Sequence, residues 1–315
     1  MAGTIGIVGA GSIVERYYLH ALRQLGYADI LIYDKIEVRS KELAQQFGVR
    51  QADIATIQQA ADTIIIATPP HTHFDLVNQL LACNKTIICE KPFVLSQEHA
   101  LLLNTKAQQI DANLLVAHIR RIFPGIQLAQ QYIEQHQQEL GKLQRVLLNE
   151  GARFNYKSQS GYVRNHPMGG VLADTGSHVL DCLLYATGLD LQPISCTLQS
   201  VEHNQPEPSH EVTCAFQIND IPVQLRLSRY QALSNKMTLQ YEHATIDVPL
   251  GIKPNIRVIA NQTSTIHSAA TSCLTYFSQA FREELRLMLQ QPDEHRFDAK
   301  RFLNLSAVLE TLYKA

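Results

Sequence analysis

The sequence lacks several features that mark common classes of protein. Only 18% of its 315 residues are charged, the net charge is −2, and no stripe of basic residues with interleaved aromatics occurs. Nucleic acid is therefore not expected as a partner. No apolar run approaches the roughly 20 residues that span a bilayer, and the N-terminus lacks the charged start and apolar stretch of a signal peptide. We therefore expect a soluble cytoplasmic protein with no membrane partner.

The cysteines and histidines do not form a metal-binding pattern. The six cysteines are scattered, and none belongs to a CxxC pair, which fits a reducing cytoplasm. His71 and His73 are two residues apart, but no further ligands at a fixed spacing accompany them. Because a zinc site needs three or four ligands at such spacings, the sequence predicts no metal site.

Short apolar segments alternate with helical patterns five times in the first part of the chain. The apolar segments lie at 4–8, 30–33, 63–68, 86–89 and 113–117. Alternation of this kind is typical of a doubly wound parallel sheet with helices on both faces. We therefore predict an α/β fold whose first domain, residues 1–120, binds a nucleotide.

Longer, more alternating segments dominate after residue 120. They lie at 144–154, 193–201, 212–228 and 237–248, and helical patterns lie at 124–137, 269–290 and 299–313. This predicts an α+β domain, residues 121–315, with a mostly antiparallel sheet covered on one face. We assign substrate binding to this domain. An uncovered sheet face would be a large apolar surface, so we expect a homodimer or homotetramer through the sheet.

A glycine-rich turn follows the first apolar segment and opens a helical pattern. Gly9 allows the tight turn, and Gly11 removes a side chain where a pyrophosphate would approach the helix N-terminus. We predict that Gly9, Gly11, Ser12 and Ile13 contact a dinucleotide. Val14 replaces the third glycine of the fingerprint, a position that governs helix–strand packing. The alternative is a plain tight turn.

An acidic residue ends the second apolar segment. Asp34 lies at the distance expected for a carboxylate that accepts both ribose hydroxyls of the adenosine half. It would repel a 2′-phosphate and therefore favours NAD, although the adjacent Lys35 partly offsets that repulsion and leaves NADP open. The alternative is that Asp34 only caps a turn or helix.

Polar residues follow two further strands at the edge where ligands of open α/β sheets bind. We assign Thr68, Pro69, His73, Glu90 and Lys91 to the cofactor side of the site. Lys91 can hold a ribose hydroxyl and a substrate oxygen together. The alternative is that Glu90 and Lys91 form an ordinary surface pair.

A helical stripe in mid-chain carries a carboxylate beside an imidazole. Asp174, His178 and Asp181 lie at i, i+4 and i+7, which places them on one helix face, and Gly169-Gly170 precedes them. Such a pair on a rigid element is how a proton-transfer site is built. Alternatively, Asp174 caps the helix and His178 is a core histidine. Asp181 is better suited to a positioning or structural role than to catalysis.

These motifs together resemble the glucose–fructose oxidoreductase / inositol dehydrogenase / MocA (Gfo/Idh/MocA) family over nearly the whole chain. Further marks of the resemblance are His118, Arg121 and Pro124, whereas Val14 and Pro70 depart from the family pattern. The resemblance implies a Rossmann domain followed by a domain with a large open antiparallel sheet. It also implies tight binding of NAD or NADP and oxidation or reduction of sugars or cyclitols.

The resemblance further implies that Lys91, Asp174 and His178 are the catalytic residues. We expect His178 to exchange a proton with the substrate hydroxyl, Lys91 to stabilise the alkoxide, and Asp174 to orient His178 or bind substrate. The cofactor would exchange a hydride with a hydroxyl or carbonyl carbon.

The substrate itself is not named by the sequence. Tyr156, Tyr162, Arg164 and Asn165 precede the glycine pair, and we assign them to the substrate pocket from that position alone. Reduction of an imine or of a conjugated pigment-like ring, hydrolysis through a transient redox cycle, and a dinucleotide-binding sensor without catalysis remain alternatives.

Overall fold

The chain folds into two compact units. The computed structural model describes residues 3–82, 84–153, 169–203, 210–269, 274–291 and 294–314. The first unit comprises Met1–His118 and Ser278–Ser306, and the second comprises Ile119–Phe277 and Ala307–Ala315. The predicted division placed all residues after 120 in the second domain. It is wrong for the C-terminal segment, because Ser278–Ser306 packs into the first unit.

The first unit contains a six-stranded, all-parallel sheet. Its strands are β1 (Ile5–Val8), β2 (Ile30–Tyr33), β3 (Arg50–Gln51), β4 (Thr63–Ile66), β5 (Thr86–Glu90) and β6 (Asn113–Ala117). They are ordered β3-β2-β1-β4-β5-β6, and every neighbouring pair is parallel. The predicted doubly wound parallel sheet is therefore confirmed. The edge strand β3 was not predicted, because two exposed polar residues carry no apolar pattern.

Helices connect these strands. They are α1 (Leu19–Gln24), α2 (Glu37–Phe47), α3 (Ile54–Ala60), α4 (His73–Leu80) and α5 (Gln97–Gln109). Gly48, in the left-handed conformation at φ 62°, ends α2, and the Ser96 side chain accepts a hydrogen bond from the His99 N–H at the start of α5. A π-helical turn, Val14–Tyr18, precedes α1, and Val14 and Tyr18 are completely buried within it.

The C-terminal segment joins the first unit through aromatic contacts. The first helix of this segment is α9 (Phe277–Gln290), the ninth α-helix counted from the N-terminus in the described ranges. Phe281 on this helix stacks on Tyr17, with ring centroids 5.3 Å apart, and meets the edge of Tyr18 at 4.7 Å. Farther along, Phe302 stacks on His118 at 5.3 Å. These ring contacts bury apolar area within the first unit, to which Ser278–Ser306 belongs.

The second unit contains an eight-stranded open sheet. Its strands are β7 (Leu143–Gly151), β8 (Cys196–His203), β9 (Glu211–Ile218), β10 (Ile221–Ser228), β11 (Lys236–Tyr241), β12 (Thr245–Pro249), β13 (Asn255–Ala260) and β14 (Thr263–Ser268). They are ordered β14-β13-β12-β11-β7-β10-β9-β8. Only β7 and β10 pair in parallel among these described strands, so the predicted mostly antiparallel sheet is confirmed.

Several strand and helix boundaries differ from the prediction. The two longest predicted strands, 212–228 and 237–248, are hairpins; the first turns at Asn219, whose φ of 53° suits a tight turn. The hairpin of β13 and β14 was missed because its Thr- and Ser-rich second strand is largely exposed. That strand extends to Ser268, and the helix predicted from 269 begins only at Phe277.

Helix α6 (Pro124–Gln135) lies on one face of the second sheet. The remaining helices are α7 (Gln137–Leu140), α8 (Ser177–Thr187) and α10 (Leu303–Tyr313). Helix α6 packs on β12, β13 and α8, and alternate residues of the sheet, such as Val146 and Leu148, are buried. No helix in the described ranges combines the length and apolar character that a bilayer crossing requires.

The opposite sheet face is mostly polar. Arg145 donates a hydrogen bond to Gln224 at 2.9 Å across the strands, and Lys236 pairs with Asp247 at 2.7 Å. Cross-strand hydrogen bonds and ion pairs therefore lie on the face that we expected to be apolar, although Ile259 on β13 and Ile266 on β14 are also exposed.

Candidate active site

The glycine turn after β1 leaves space for a ligand. Gly9 has φ +109°, and a Cβ there would lie 2.5 Å from the carbonyl oxygen of Ala67, so no other residue fits without strain. A Cβ on Gly11 would meet nothing within 4 Å. The Gly11 carbonyl accepts the N–H of Val14 and of Glu15, at 3.0 and 3.1 Å, so the helical turn begins here. An anion can approach this helix start without steric hindrance.

Asp34 is fixed beside the glycine turn. Its Oδ2 accepts a hydrogen bond from the Ala10 N–H and its Oδ1 accepts one from the Ile36 N–H, both at 2.7 Å. A carboxylate has about four acceptor sites, so two hydrogen bonds leave capacity for ribose hydroxyls. Asp34 is partly exposed and Lys35 is exposed. The open space at Gly11 together with Asp34 fits the phosphate and ribose groups of a dinucleotide.

The structure corrects the role assigned to His73. Its ring is completely buried. Its Nδ1 lies 2.9 Å from the Pro92 carbonyl oxygen, and its Nε2 lies 2.9 Å from the Thr68 carbonyl oxygen. Burial lowers the pKa of His73, although these carbonyls oppose the shift. A side chain enclosed in this way does not contact a cofactor; it holds the end of β4 against the turn after β5.

The Glu90-Lys91-Pro92 turn ends β5, and the Lys91–Pro92 peptide bond is cis. Both carboxylate oxygens of Glu90 accept hydrogen bonds from protein groups. Oε1 accepts one from the Tyr18 hydroxyl at 2.8 Å, and Oε2 accepts one from the Lys91 N–H at 3.1 Å. Burial raises the pKa of Glu90. Glu90 was predicted to contact the cofactor, but these hydrogen bonds are with protein groups and support the turn that carries Lys91.

The mid-chain stripe begins with a π-helical turn, Leu172–Gly176, and continues as α8. The predicted regular α-helical spacing is therefore wrong at Asp174, because a π turn contains an additional residue. A Cβ on Gly176 would lie 2.9 Å from Leu172 Cδ1 and 3.1 Å from Leu227 Cδ1. Gly176 thus lets the turn pack closely on the sheet. Single π turns are frequent at functional sites.

Asp174 is held by an arginine that the sequence did not reveal. Arg229 follows β10 and is 4% exposed. Its Nη2 donates to Asp174 Oδ2 at 3.0 Å and to the Gly170 carbonyl at 3.2 Å. The Asp174 side chain stays 31% exposed. Arg229 therefore fixes the carboxylate while leaving part of it accessible to solvent, and His178 follows one turn later on α8, also partly exposed.

A second arginine, Arg120, lies close enough to influence the same region. It forms a two-pronged ion pair with Glu150, with N–O distances of 2.5 and 2.7 Å. Burial disfavours its charge, but the hydrogen bond and charge of Glu150 outweigh burial and raise the pKa of Arg120, with smaller contributions from Cys182 and Asp174. Arg120 is thus a permanent cation near Asp174.

Asp181 belongs to a buried ion cluster. Arg121 and Asp181 side chains are both 0% exposed, and Arg121 Nη2 donates to Asp181 Oδ1 at 2.6 Å. Arg121 Nη1 also lies 3.3 Å from Asp190 Oδ2, and its guanidinium carbon lies 5.0 Å from the centre of the Tyr185 ring. Asp181 therefore has a structural role in the second unit, consistent with the role preferred from sequence.

The residues assigned to the substrate pocket, Tyr156, Tyr162, Arg164 and Asn165, lie outside the described residues. Arg229 and Tyr18, which support Asp174 and Glu90, were missed. Neither belongs to a sequence motif, and a single sequence gives no signal that pairs them with partners far along the chain.

Comparison with known families identifies both halves of the chain. Residues 4–118 match the family described as "Oxidoreductase family, NAD-binding Rossmann fold". Residues 126–247 match the "GFO/IDH/MocA C-terminal domain". The chain belongs to the Gfo/Idh/MocA family. Membership accounts for the first unit's sheet order and the second unit's open sheet.

Individual relatives of this Gfo/Idh/MocA protein are named dehydrogenases and reductases. Inositol 2-dehydrogenase from Rhizobium meliloti is 27% identical over 202 residues, covering 62% of this chain and 58% of the relative. The chain spans about half the length of the curated relatives that it matches.

Solved structures share the whole fold. UDP-N-acetylglucosamine 3-dehydrogenase from Acidithiobacillus ferrooxidans has a TM-score of 0.76 at 19% identity, covering 100% of this chain and 98% of that one. A 3-ketoreductase from Actinomadura kijaniata, in complex with NADP and TDP-benzene, has a TM-score of 0.80 at 13% identity with the same coverage. At these identities, the likeness shows the fold alone.

Proposed function

We propose that the protein is an NAD(P)-dependent oxidoreductase acting on a hydroxyl or carbonyl carbon of a small polar substrate, a sugar or a cyclitol. The observation that carries the proposal is the match of both halves of the chain to one oxidoreductase family, with the catalytic-motif positions occupied by Lys91, Asp174 and His178. The relatives' named substrates, an inositol and a nucleotide-linked sugar, support the substrate class.

The proposed roles follow from charge and proton chemistry. Bound NAD(P) supplies the acceptor or donor of a hydride. His178 takes the proton of the substrate hydroxyl during oxidation and returns one during reduction, because an imidazole ordinarily titrates near neutral pH. The Lys91 ammonium stabilises negative charge on the substrate oxygen. Asp174, anchored by Arg229, orients His178 or accepts a hydrogen bond from the substrate.

The proposed cofactor contacts lie at the glycine turn and at the carboxyl ends of β2 and β4, the strands on either side of β1. Gly9, Gly11, Ser12 and Ile13 would surround the pyrophosphate, and Asp34 would accept the ribose hydroxyls. A carboxylate at this position repels a 2′-phosphate, so we propose NAD rather than NADP as the preferred cofactor, even with Lys35 adjacent.

A panel of substrates tests the proposal. We expect inositols, free sugars and nucleotide-linked sugars to include at least one compound that reduces NAD⁺, detected by the absorbance of the reduced nicotinamide, with NADP⁺ reduced more slowly. The matched control is Lys91→Met, which keeps the apolar stem and removes the charge. Tight dinucleotide binding without turnover of any compound would instead indicate a sensor.

We further propose a cytoplasmic homodimer or homotetramer that associates through the polar face of the eight-stranded sheet. The four free cysteines within the described residues, Cys89, Cys182, Cys196 and Cys214, fit a reducing compartment.

Light scattering at micromolar concentration tests the assembly. We expect a mass of two or four chains, and we expect Arg145→Glu to shift the protein toward smaller species, because it places a negative charge on this face. The control is Arg50→Glu, at an exposed position in the first unit. A strict monomer for the unmodified chain would contradict the proposed assembly.

A further inference from the structure

Tyr18 connects the glycine-turn helix with the turn that carries Lys91. It ends the π-helical turn that follows the glycine turn, and it is completely buried. Its hydroxyl donates a hydrogen bond to Glu90 Oε1 at 2.8 Å. The Phe281 ring lies edge-on to it at 4.7 Å and limits its movement. The phenol is therefore a rigid donor with one defined acceptor.

Glu90 in turn holds the main chain of Lys91. Its second carboxylate oxygen, Oε2, accepts the backbone N–H of Lys91 at 3.1 Å. Two consecutive hydrogen bonds thus run from the Tyr18 hydroxyl through one carboxylate to the main chain of Lys91. An ionised carboxylate accepts hydrogen bonds more strongly than a protonated carboxyl group does. The strength of both hydrogen bonds therefore depends on the charge of Glu90.

The surroundings of Glu90 oppose that charge. Burial raises its pKa, whereas the hydrogen bond from Tyr18, the charge of Lys91 and the Lys91 N–H lower it. Cys89 lies beside it on β5 and has a pKa raised by burial, so it stays neutral. Burial, followed by the charges of Glu90 and Glu284, raises the pKa of Tyr18, so the phenol keeps its proton and acts as the donor.

We propose that Tyr18 is a positioning residue for Lys91, acting through Glu90. The proposal rests on the proposed function for the catalytic importance of Lys91, but its structural half stands on the two hydrogen bonds alone. Removing the hydroxyl takes away one of the two hydrogen bonds that favour the ionised form of Glu90 and leaves only the one from the Lys91 N–H. Glu90 then takes up a proton at higher pH, and the Lys91 main chain loses a charged acceptor.

Tyr18→Phe tests the proposal, and Tyr17→Phe is the matched control. Tyr17 precedes Tyr18 in the same π turn and also packs on Phe281, but it is not the donor to Glu90. The apo-protein is labelled with ¹⁵N-lysine, and the Lys91 amide resonance is assigned by its loss in Lys91→Met. This amide reports the protonation of Glu90 directly, without substrate or cofactor.

We expect the midpoint of the Lys91 amide titration to rise by about one pH unit in Tyr18→Phe, because a hydrogen bond to a charged group is lost, and not to move in Tyr17→Phe. With a substrate from the panel, kcat should fall by about tenfold in Tyr18→Phe. The loss of kcat on the acidic side of the pH profile should begin at a higher pH than in the wild type. The affinity for NAD should not change.

An unchanged amide midpoint in Tyr18→Phe would overturn the inference, as would a shifted midpoint with kcat and pH profile equal to those of Tyr17→Phe. Failure of the proposed function looks different: the wild-type chain would turn over no substrate, while the amide midpoint would still move in Tyr18→Phe alone. That result would support the structural link from Tyr18 to Lys91 but would contradict its role in catalysis.

Discussion

Replacing His178 by alanine is expected to lower kcat by about 10²- to 10⁴-fold, the range contributed by a positioned general acid–base group. Cofactor affinity should not change, because His178 is assigned to proton exchange with the substrate hydroxyl and not to the cofactor. Stopped-flow or steady-state absorbance of the reduced nicotinamide measures kcat, and titration with NAD⁺ measures affinity. His243→Ala, at an exposed position in the same unit, is the control and should retain full activity.

Combining His178→Ala with Lys91→Met makes the prediction sharper. If both groups act on one transition state, the double variant should be little slower than the worse single variant, because groups that act as a unit are strongly non-additive. Full activity in both single variants would contradict the proposed dehydrogenase mechanism. Multiplicative losses would indicate that the two groups serve separate steps.

Replacing Arg121 by methionine is expected to destabilise the second unit by about 3–5 kcal/mol, because a buried charge loses its partner. Asp181 and Asp190 would remain in the interior, 0% and 5% exposed, without the guanidinium that they share. Urea denaturation of the wild type and the variant measures the deficit.

Arg286→Met provides the comparison for Arg121→Met. Arg286 pairs with Glu283 one turn away, and both side chains are about one-third exposed. An exposed pair of this kind contributes at most about 1 kcal/mol, so this variant should unfold at nearly the wild-type urea concentration. An equal loss in the two variants would contradict a special role for the buried cluster.

Much of the fold was predictable because its signals are local. Strand β2 was predicted with its observed limits, and β6 likewise, since each is a short apolar run bounded by polar residues. Ser96 and Gly48 mark helix ends by their side-chain and backbone chemistry. The exposed strands β3 and β14 were missed, because their residues have no apolar alternation to distinguish them from loops.

The candidate site was predictable in its motifs but not in its contacts. Gly9, Gly11 and Asp34 were found from their spacing, and the structure gives each a geometry suited to a dinucleotide. His73 and Glu90 were assigned to the cofactor because they follow strand ends, but their buried hydrogen bonds with protein groups cannot be deduced from position. Both π turns were also missed, because they depend on how the helices pack.

The sequence alone determined most strands and helices of the first unit, the glycine turn, and the identity of Lys91, Asp174 and His178 as candidate groups, because periodicity and spacing are local properties of the chain. Only the tertiary structure paired Arg229 with Asp174, Arg121 with Asp181, and Tyr18 with Glu90. These partners lie 55, 60 and 72 residues apart. Their contacts form only when separate elements pack together and exclude the water that would otherwise solvate each charge.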